Sequence, residues 1–206
     1  MIRDITLPLT GGTLRYPGDP APVIERVSDR RTGDLLTVSH LSVNCHVGTH
    51  VDAPAHFITN GPTVDALPLA SFFGPAIVLA LPERDVIRST DLAPLDLPPA
   101  HHLLLKTRNS SLLREPRFVE SYCHLSPEAA AVLCASRPLS LGFDYYSLDP
   151  LQCTDFPAHT TVAAAGIAVF VCLALADVPP GRYTFAGLPL PLVGAEAAPV
   201  RALLID

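Results

Sequence analysis

The sequence is poor in charge and has no concentrated positive surface. Charged residues make up 17% of its 206 residues, and 14 Lys and Arg stand against 20 Asp and Glu, which gives a formal net charge of -6. Proteins that bind nucleic acid carry rows or stripes of Lys and Arg that neutralise phosphates. Because this sequence has no dense basic stripe, nucleic acid is not expected as a partner.

Long apolar runs are missing as well. The longest uncharged stretch runs from Val162 to Ala176 and contains Gly166, and it is shorter than the roughly 18 to 20 residues that cross a bilayer. The segment from Met1 to Thr6 has a charge pair where a secretory signal has its apolar centre. The sequence therefore predicts a cytoplasmic protein with no membrane partner.

The cysteine and glycine patterns exclude several further classes of protein. The five cysteines are an odd number and form no C-x-x-C pair, so neither a disulfide framework nor a cysteine zinc site is expected. We expect the thiols to be mostly buried. No G-x-S-x-G elbow supports a serine hydrolase, and no G-x-G-x-x-G follows a predicted strand to suggest a dinucleotide site.

What the chain does contain is apolar residues, at 49%, and 22 prolines that divide it into short apolar runs. One domain over residues 1–206 is expected, because a single core goes on growing up to roughly 250 to 300 residues. The short runs contain β-branched and aromatic residues and are typical of strands joined by tight loops. Strands are predicted at residues 38–43, 76–81, 103–107, 139–144, 167–173, 183–188 and 202–205.

Helices are predicted at fewer places. The clearest covers residues 127–136, because Ser126 is a favourable N-cap and a proline follows it at the first helical position. A weaker helix is predicted to begin at Thr90 or Asp91. Residues 160–165 are predicted as a last helical turn before the next strand.

Four polar side chains fall within the eleven residues from His46 to His56. Three of the eight histidines lie there together with Asp52, and all four occupy even-numbered positions. Because an extended backbone sends alternate side chains to one face, the spacing predicts an extended segment that ends in a turn and brings the four groups together. A helix would turn Asp52 away from His50, and Pro54 would disrupt its interior.

Two imidazoles and one carboxylate are a common ligand set for a catalytic divalent metal, which keeps a position open for water or a substrate oxygen. Within the same segment, Gly48 is expected to allow close approach of a backbone or substrate, Thr49 to hydrogen-bond a ligand residue, and Pro54 to stiffen the chain. The alternative is that the histidines are satisfied by core hydrogen bonds or lie on a solvated edge.

The pattern His46-x-Gly48-Thr49-His50-x-Asp52-x-Pro54-x-His56 resembles the signature of the cyclase family, which includes bacterial kynurenine formamidases (arylformamidases) and isatin hydrolases. Further similarities run along almost the whole chain: Tyr16-Pro17-Gly18-Asp19, Gly142-Phe143-Asp144, Ser147-Leu148-Asp149-Pro150, Ala158-His159, Val178 to Tyr183, Leu188 to Leu190, and Pro199 to Arg201.

The resemblance implies roles for individual residues. His46, His50 and Asp52 are implied as metal ligands, His56 as the catalytic acid-base, and His159 as a ligand to a second metal. The family also implies an α/β fold, a swivelling β/β/α-type single domain with a central mixed β-sheet or barrel. Its members are usually homodimers whose subunits contribute to each other's pockets, and the metal is expected to be zinc or manganese.

Two departures from the family bear on function. In the formamidases a glutamate twelve residues after the late histidine bridges two metals, but here that position is Val171, which cannot ligate. In a regular strand Cys172 faces the opposite way, so its sulfur replaces the carboxylate only at a bulge or a slip of register. One metal per chain is therefore predicted in preference to two. Tyr16 stands where related formamidases have a tryptophan that packs on the aromatic substrate.

Tyr16 and Phe57 are predicted to contact the substrate. Several aromatic residues border the matched motifs, and for them a pocket wall and plain core packing are equally good interpretations. They are Phe57, Phe143, Tyr145, Tyr146 and Phe156.

Three functions fit the sequence. The first is a metal-dependent hydrolase of a small amide or lactone, similar to kynurenine formamidase, with metal-activated water and His56 as acid-base. The second is an intramolecular cyclase of an aromatic polyketide or antibiotic pathway that uses His56 as the base, and Val171 favours it because it needs no second metal. The third is a non-catalytic member of the family, motivated by the lost glutamate.

Overall fold

The computed structural model describes residues 1–81 and 83–206. Its strands are β1 (Ile2–Asp4), β2 (Val23–Ser28), β3 (Val38–Ser42), β4 (His50–Asp52), β5 (Phe73–Ala80), β6 (Val86–Ile87), β7 (His102–Lys106), β8 (His124–Leu125), β9 (Ser140–Phe143), β10 (Ala168–Val171), β11 (Gly181–Pro189) and β12 (Ala197–Ile205). Its α-helices are α1 (Ser89–Leu92), α2 (Asn109–Leu112), α3 (Pro127–Ala135) and α4 (Pro157–Ala164). Short 3-10 helices lie at Arg30–Thr32, Pro54–His56, Val64–Ala66 and Leu69–Ser71.

Seven strands form a closed mixed barrel in the order β12-β11-β5-β7-β9-β10-β4, and β4 pairs with β12 to complete the circle. Strands β5, β7, β9 and β10 run parallel to their neighbours in this series, whereas the other pairs are antiparallel. Strand β1 extends the sheet beside β12. The predicted α/β class with a central mixed barrel is confirmed.

All seven predicted strands are present, although several end a residue or more away from the predicted bounds. Helix α3 also begins as predicted, because the Ser126 side chain accepts a hydrogen bond from the backbone N–H of Ala129. The predicted turn at residues 160–165 belongs to helix α4, and Gly166, with φ of +74°, leads the chain from this helix into β10.

The barrel separates two apolar cores. One fills its interior with alternate residues of the strands, such as Val51, Phe170 and Phe185. The other lies between the outer face of the parallel strands and helices α3 and α4, and includes Leu141, Val169 and Val171. A side chain on β4 therefore points into the barrel or towards the helices according to its position, because strand residues alternate between faces.

A two-stranded hairpin, β2 and β3, is separate from the barrel sheet. Most of its residues are exposed, and several are apolar, among them Val23, Ile24, Val27, Val38 and Leu41. Among the described residues, no helix has the length and apolar character needed to cross a membrane.

Candidate functional site

The histidine-rich segment is extended over a shorter length than the sequence predicts. Only His50–Asp52 forms a strand. His46 lies in a turn before it, Gly48 has φ of +57°, and His56 ends the 3-10 helix Pro54–His56. The expectation of one extended segment from His46 is wrong, because a left-handed residue at position 48 and a proline-initiated turn fold the chain on both sides of a very short strand.

The strand register places His50 and Asp52 on the outer face of the barrel. Val51 between them belongs to the barrel interior. His50 lies opposite Val171 of β10, and Asp52 lies opposite Val169, so these paired side chains share a face. That face is turned towards helix α4, which carries His159.

Three side chains converge into one potential metal site. Asp52 Oδ1 lies 2.9 Å from His46 Nδ1 and 3.3 Å from His50 Nε2. Among the described residues, His46, His50 and Asp52 are the group of metal-binding side chains whose ligand atoms lie within 4.8 Å of one another. The structure thus brings together the three ligands that the resemblance implies.

The tautomer of His50 explains why a cation fits between these atoms. His50 Nδ1 lies 2.8 Å from the Gly48 carbonyl oxygen, which only accepts, so Nδ1 carries a proton and, in the neutral imidazole, Nε2 presents a lone pair. That lone pair faces Asp52 Oδ1, a second acceptor, and this carboxylate oxygen is buried without a hydrogen-bond partner. Two acceptors that face each other repel, unless a cation lies between them and binds both.

The charges in the site act strongly on one another. Burial alone would raise the pKa of Asp52, but the neighbouring imidazoles of His50 and His46 outweigh burial and hold it well below its ordinary value. For His46, burial would lower the pKa, but the nearby carboxylates of Asp52 and Glu196 raise it. The carboxylate of Asp52 is therefore ionised, as a metal ligand must be.

Glu196 was not identified from the sequence. Its Oε1 lies 3.2 Å from His46 Nε2, and its backbone carbonyl accepts a hydrogen bond from Ala53 at 2.8 Å. A carboxylate on the far nitrogen of a ligating histidine fixes the orientation and tautomer of the ring. Glu196 lies far from His46 in the sequence and only strand pairing brings it near, so local spacing carried no signal for it.

His56 lies at the exposed side of the site. Its ring centroid is 4.2 Å from that of His46 and 4.3 Å from that of Phe57. Partial desolvation and the positive charges of His46 and His159 lower the pKa of His56, although Asp52 acts in the opposite direction. His56 is therefore neutral at pH 7 and able to accept a proton.

His159 lines the same cavity but lies outside the group of three potential ligands. Its Nδ1 is 2.7 Å from Asp149 Oδ2, and Asp149 also accepts hydrogen bonds from the backbone N–H groups of Ala158 and His159. Phe57 stacks on its ring at a centroid distance of 4.6 Å. Asp149, part of the Ser147-Leu148-Asp149-Pro150 motif, thus orients the imidazole, a role that the sequence reading did not assign.

Val171 occupies the position that the sequence predicts, whereas Cys172 departs from regular strand geometry. Val171 is buried opposite His50, so a longer acidic side chain there would reach the site. Cys172 does not continue the strand: its φ is +55°. Its thiol lies beside the Tyr146 hydroxyl rather than on the barrel interior. The backbone thus leaves regular strand geometry at Cys172, but its sulfur does not join the group of potential metal ligands.

Thr49 does not support a ligand side chain. Its Oγ1 accepts a hydrogen bond from the Leu7 N–H and donates one to the Cys172 carbonyl, both at 2.8 Å. The expectation that it hydrogen-bonds a ligand residue is wrong, because the backbone turn before β4 places its hydroxyl between two main-chain segments. Thr49 instead fixes the position of β4 against β10.

The converging side chains border a cavity of about 530 Å³, a volume suited to a small molecule. Both residues predicted to contact substrate, Tyr16 and Phe57, line it, whereas Phe143 and Tyr145 are fully buried in the core. The lining residues are Tyr16, Asp19, His46, His50, Asp52, His56, Phe57, Tyr146, Ser147, Asp155, Phe156, His159 and Thr160.

Known proteins resemble this chain in sequence and in structure. The family model described as "Putative cyclase" matches residues 3–150. A kynurenine formamidase of Salinibacter ruber (strain DSM 13855 / M31) is 37% identical over 206 residues, which cover 98% of this chain and 96% of that protein. A solved structure described as a potential metal-dependent hydrolase with cyclase activity has a TM-score of 0.87 at 31% identity, covering 99% of this chain and 96% of that chain. An isatin hydrolase bound to the product analogue thioisatinate shares the fold, with a TM-score of 0.84 at 20% identity, covering 98% of this chain and 91% of that chain.

Proposed function

Because the chain belongs to the cyclase family, we propose that it is a metal-dependent hydrolase of a small amide or lactone, with an aryl formamide as its preferred class of substrate. Its relatives make it an enzyme and a hydrolase. The observation that carries the metal dependence is the buried Asp52 Oδ1, which lies between two imidazole nitrogens and has no hydrogen-bond partner.

His46, His50 and Asp52 would hold the metal. Their donor set suits zinc or manganese. When bound there, a divalent cation lowers the pKa of a coordinated water and polarises a carbonyl group. Glu196 keeps the His46 ring in place from the far side, and the Gly48 carbonyl does the same for His50.

His56 supplies the proton transfers. As the neutral imidazole it takes a proton from the attacking water, whose oxygen adds to the carbonyl carbon of the substrate. The same imidazole, now protonated, gives that proton to the leaving nitrogen or oxygen as the bond to the carbonyl carbon breaks. For an aryl formamide the products are formate and the free aryl amine.

The surroundings of His159 favour one metal per chain. A second cation beside His159 would require another anionic ligand, but the position opposite His50 is the apolar Val171 and the imidazole face is covered by Phe57. The same observation supports the cyclase alternative, in which His56 removes a proton next to a carbonyl and no hydrolytic water takes part. The hydrolase relatives favour hydrolysis, and the assay below separates the two.

We expect protein purified without chelator to contain about one zinc or manganese per chain and to hydrolyse N-formylkynurenine, and chelator to abolish turnover until metal is returned. Elemental analysis and the absorbance of released kynurenine measure these quantities, with isatin as a cyclic amide for comparison. One metal without hydrolysis of either compound would favour the cyclase. Two metals per chain would contradict the inference that Val171 limits the site to one metal. No metal after reconstitution would contradict the metal site.

We also propose a homodimer built on the hairpin of β2 and β3. Ile24 of β2 and Leu36 of the connecting loop are apolar side chains that are 53% and 68% exposed. Because an isolated hairpin needs further packing for stability, we expect a second chain to cover these side chains. Light scattering is expected to give twice the chain mass of 21.9 kDa. The double variant Ile24→Glu, Leu36→Glu should be monomeric, whereas Val193→Glu, at a still more exposed apolar site outside the hairpin, should remain a dimer. A monomeric parent protein would end this proposal.

A further inference from the structure

Three buried side-chain polar atoms have no hydrogen-bond partner among the described residues: Asp52 Oδ1, the Tyr146 hydroxyl and His102 Nε2. The first two belong to residues that line the same cavity, whereas His102 packs against Gly74 and Phe185 and does not line it. An unpaired buried polar group destabilises the folded chain, so each such group needs an explanation. The Asp52 oxygen is explained by the metal site, and the Tyr146 hydroxyl is not.

Neighbouring tyrosines show that this region is able to satisfy a buried hydroxyl. The Tyr145 hydroxyl donates to the Val119 carbonyl and accepts from the Val119 N–H, both at 2.9 Å. The Tyr122 hydroxyl donates to the Asp149 carbonyl at 2.7 Å. Tyr146 is equally well packed, with only 7% of the residue exposed, but its hydroxyl has no such partner.

The thiol beside the Tyr146 hydroxyl is a poor acceptor. The Cys172 thiol lies beside it, but the two do not form a hydrogen bond of acceptable geometry, and thiol sulfur is a weak acceptor. Desolvation by burial, with the adjacent Cys172, raises the pKa of Tyr146 far above its ordinary value. The phenol therefore keeps its proton and remains a hydrogen-bond donor.

We propose that Tyr146 is a further catalytic residue, whose hydroxyl donates a hydrogen bond to the carbonyl oxygen of a formamide, cyclic amide or lactone as that oxygen becomes an anion. This proposal rests on the proposed hydrolase function. A donor held in place beforehand in a buried site stabilises such an anion strongly, because no reorganisation is needed during the reaction. The unpaired hydroxyl is thus a donor kept free for the substrate.

The role also fits the replacement of the bridging glutamate. A site with one cation stabilises the developing charge on the substrate oxygen less than a site with two. Tyr146 supplies a neutral donor, and its hydroxyl lies beside the thiol of Cys172, the residue that directly follows Val171. A substrate whose reacting carbon carries no anionic oxygen in the transition state would gain nothing from it.

The test compares Tyr146→Phe with its neighbour Tyr145→Phe. For Tyr146→Phe we expect kcat on N-formylkynurenine to fall about 100-fold, the size of effect seen when one oxyanion donor is removed, with KM and metal content nearly unchanged. The melting temperature of its metal-free form should be equal to that of the parent or higher, because an unpaired hydroxyl has been removed. Tyr145→Phe should show the opposite pattern, a lower melting temperature and kcat within about twofold of the parent.

A Tyr146→Phe protein with unchanged kcat, or with a metal-free melting temperature lowered as in Tyr145→Phe, would overturn the proposal. If the parent hydrolyses neither N-formylkynurenine nor isatin, calorimetric titration of the manganese-loaded proteins with thioisatinate decides the matter. Binding about tenfold weaker in Tyr146→Phe supports the donor, since tenfold corresponds to one lost hydrogen bond, and shows that only the hydrolase assignment failed. Equal binding, or no binding by either protein, overturns the role of Tyr146.

Discussion

His56→Ala is expected to lower kcat on N-formylkynurenine by about two to four orders of magnitude, the range for loss of a general acid-base group, while metal content stays at the parent value. His56 is not among the three side chains that converge on Asp52 Oδ1, so its removal leaves the ligand set complete. Its ring stands beside them at the exposed side of the cavity. Steady-state kinetics and elemental analysis on the same preparation measure both quantities.

Because His56 is open to solvent, added imidazole should restore part of the lost turnover. His124→Ala, a partly exposed histidine outside the lining of the cavity, is the matched control and should behave like the parent. Retention of full activity in His56→Ala would remove the proposed acid-base mechanism. Loss of metal together with activity would instead make His56 a ligand.

His50→Ala is expected to lose both the metal and the activity. His50 is buried, and its Nε2 is directed at Asp52 by the hydrogen bond of Nδ1 to the Gly48 carbonyl. Removing a ligand should weaken metal affinity by more than about 100-fold, the upper end of the cost of losing a residue that only supports a ligand. Dialysis against buffered metal followed by elemental analysis gives the affinity, and circular dichroism confirms that the variant is folded.

Glu196→Ala provides an intermediate case for comparison. Glu196 contacts the far nitrogen of His46 and not the ligand oxygen, so metal affinity should fall by about 10- to 100-fold and activity should return at high metal concentration. If His50→Ala binds metal as tightly as Glu196→Ala does, His50 is not a ligand and the metal centre lies elsewhere.

The sequence predicts the long strands because their apolar, β-branched runs are a local signal. It predicts an extended segment around His50–Asp52 but not its bounds, because these three residues become a strand only through pairing with β10 and β12. Strand β3 is predicted, whereas its partner β2 is missed, since the exposed residues of β2 show no clear alternation of apolar and polar side chains. Tertiary pairing outweighs local propensity in both places.

The site likewise combines residues with a local sequence signal and residues that only the tertiary structure brings close. His46, His50 and Asp52 are close in the sequence, so their spacing alone indicates a shared function. Glu196 reaches His46 from a distant segment, and nothing in its local sequence distinguishes it from an ordinary surface residue. Tyr146 borders a matched motif, but only the structure shows that its hydroxyl is buried without a hydrogen-bond partner.

Strand β4 completes the barrel and also carries two of the three proposed ligands. A cation bound there is attached to the one strand that joins β10 to β12, so metal release and opening of the barrel are linked equilibria. A ligand that binds only the folded chain raises the free energy of unfolding by about 2.7 kcal/mol at a free concentration 100-fold above its Kd. The melting temperature is then set by the free metal in the buffer as well as by the amino-acid sequence.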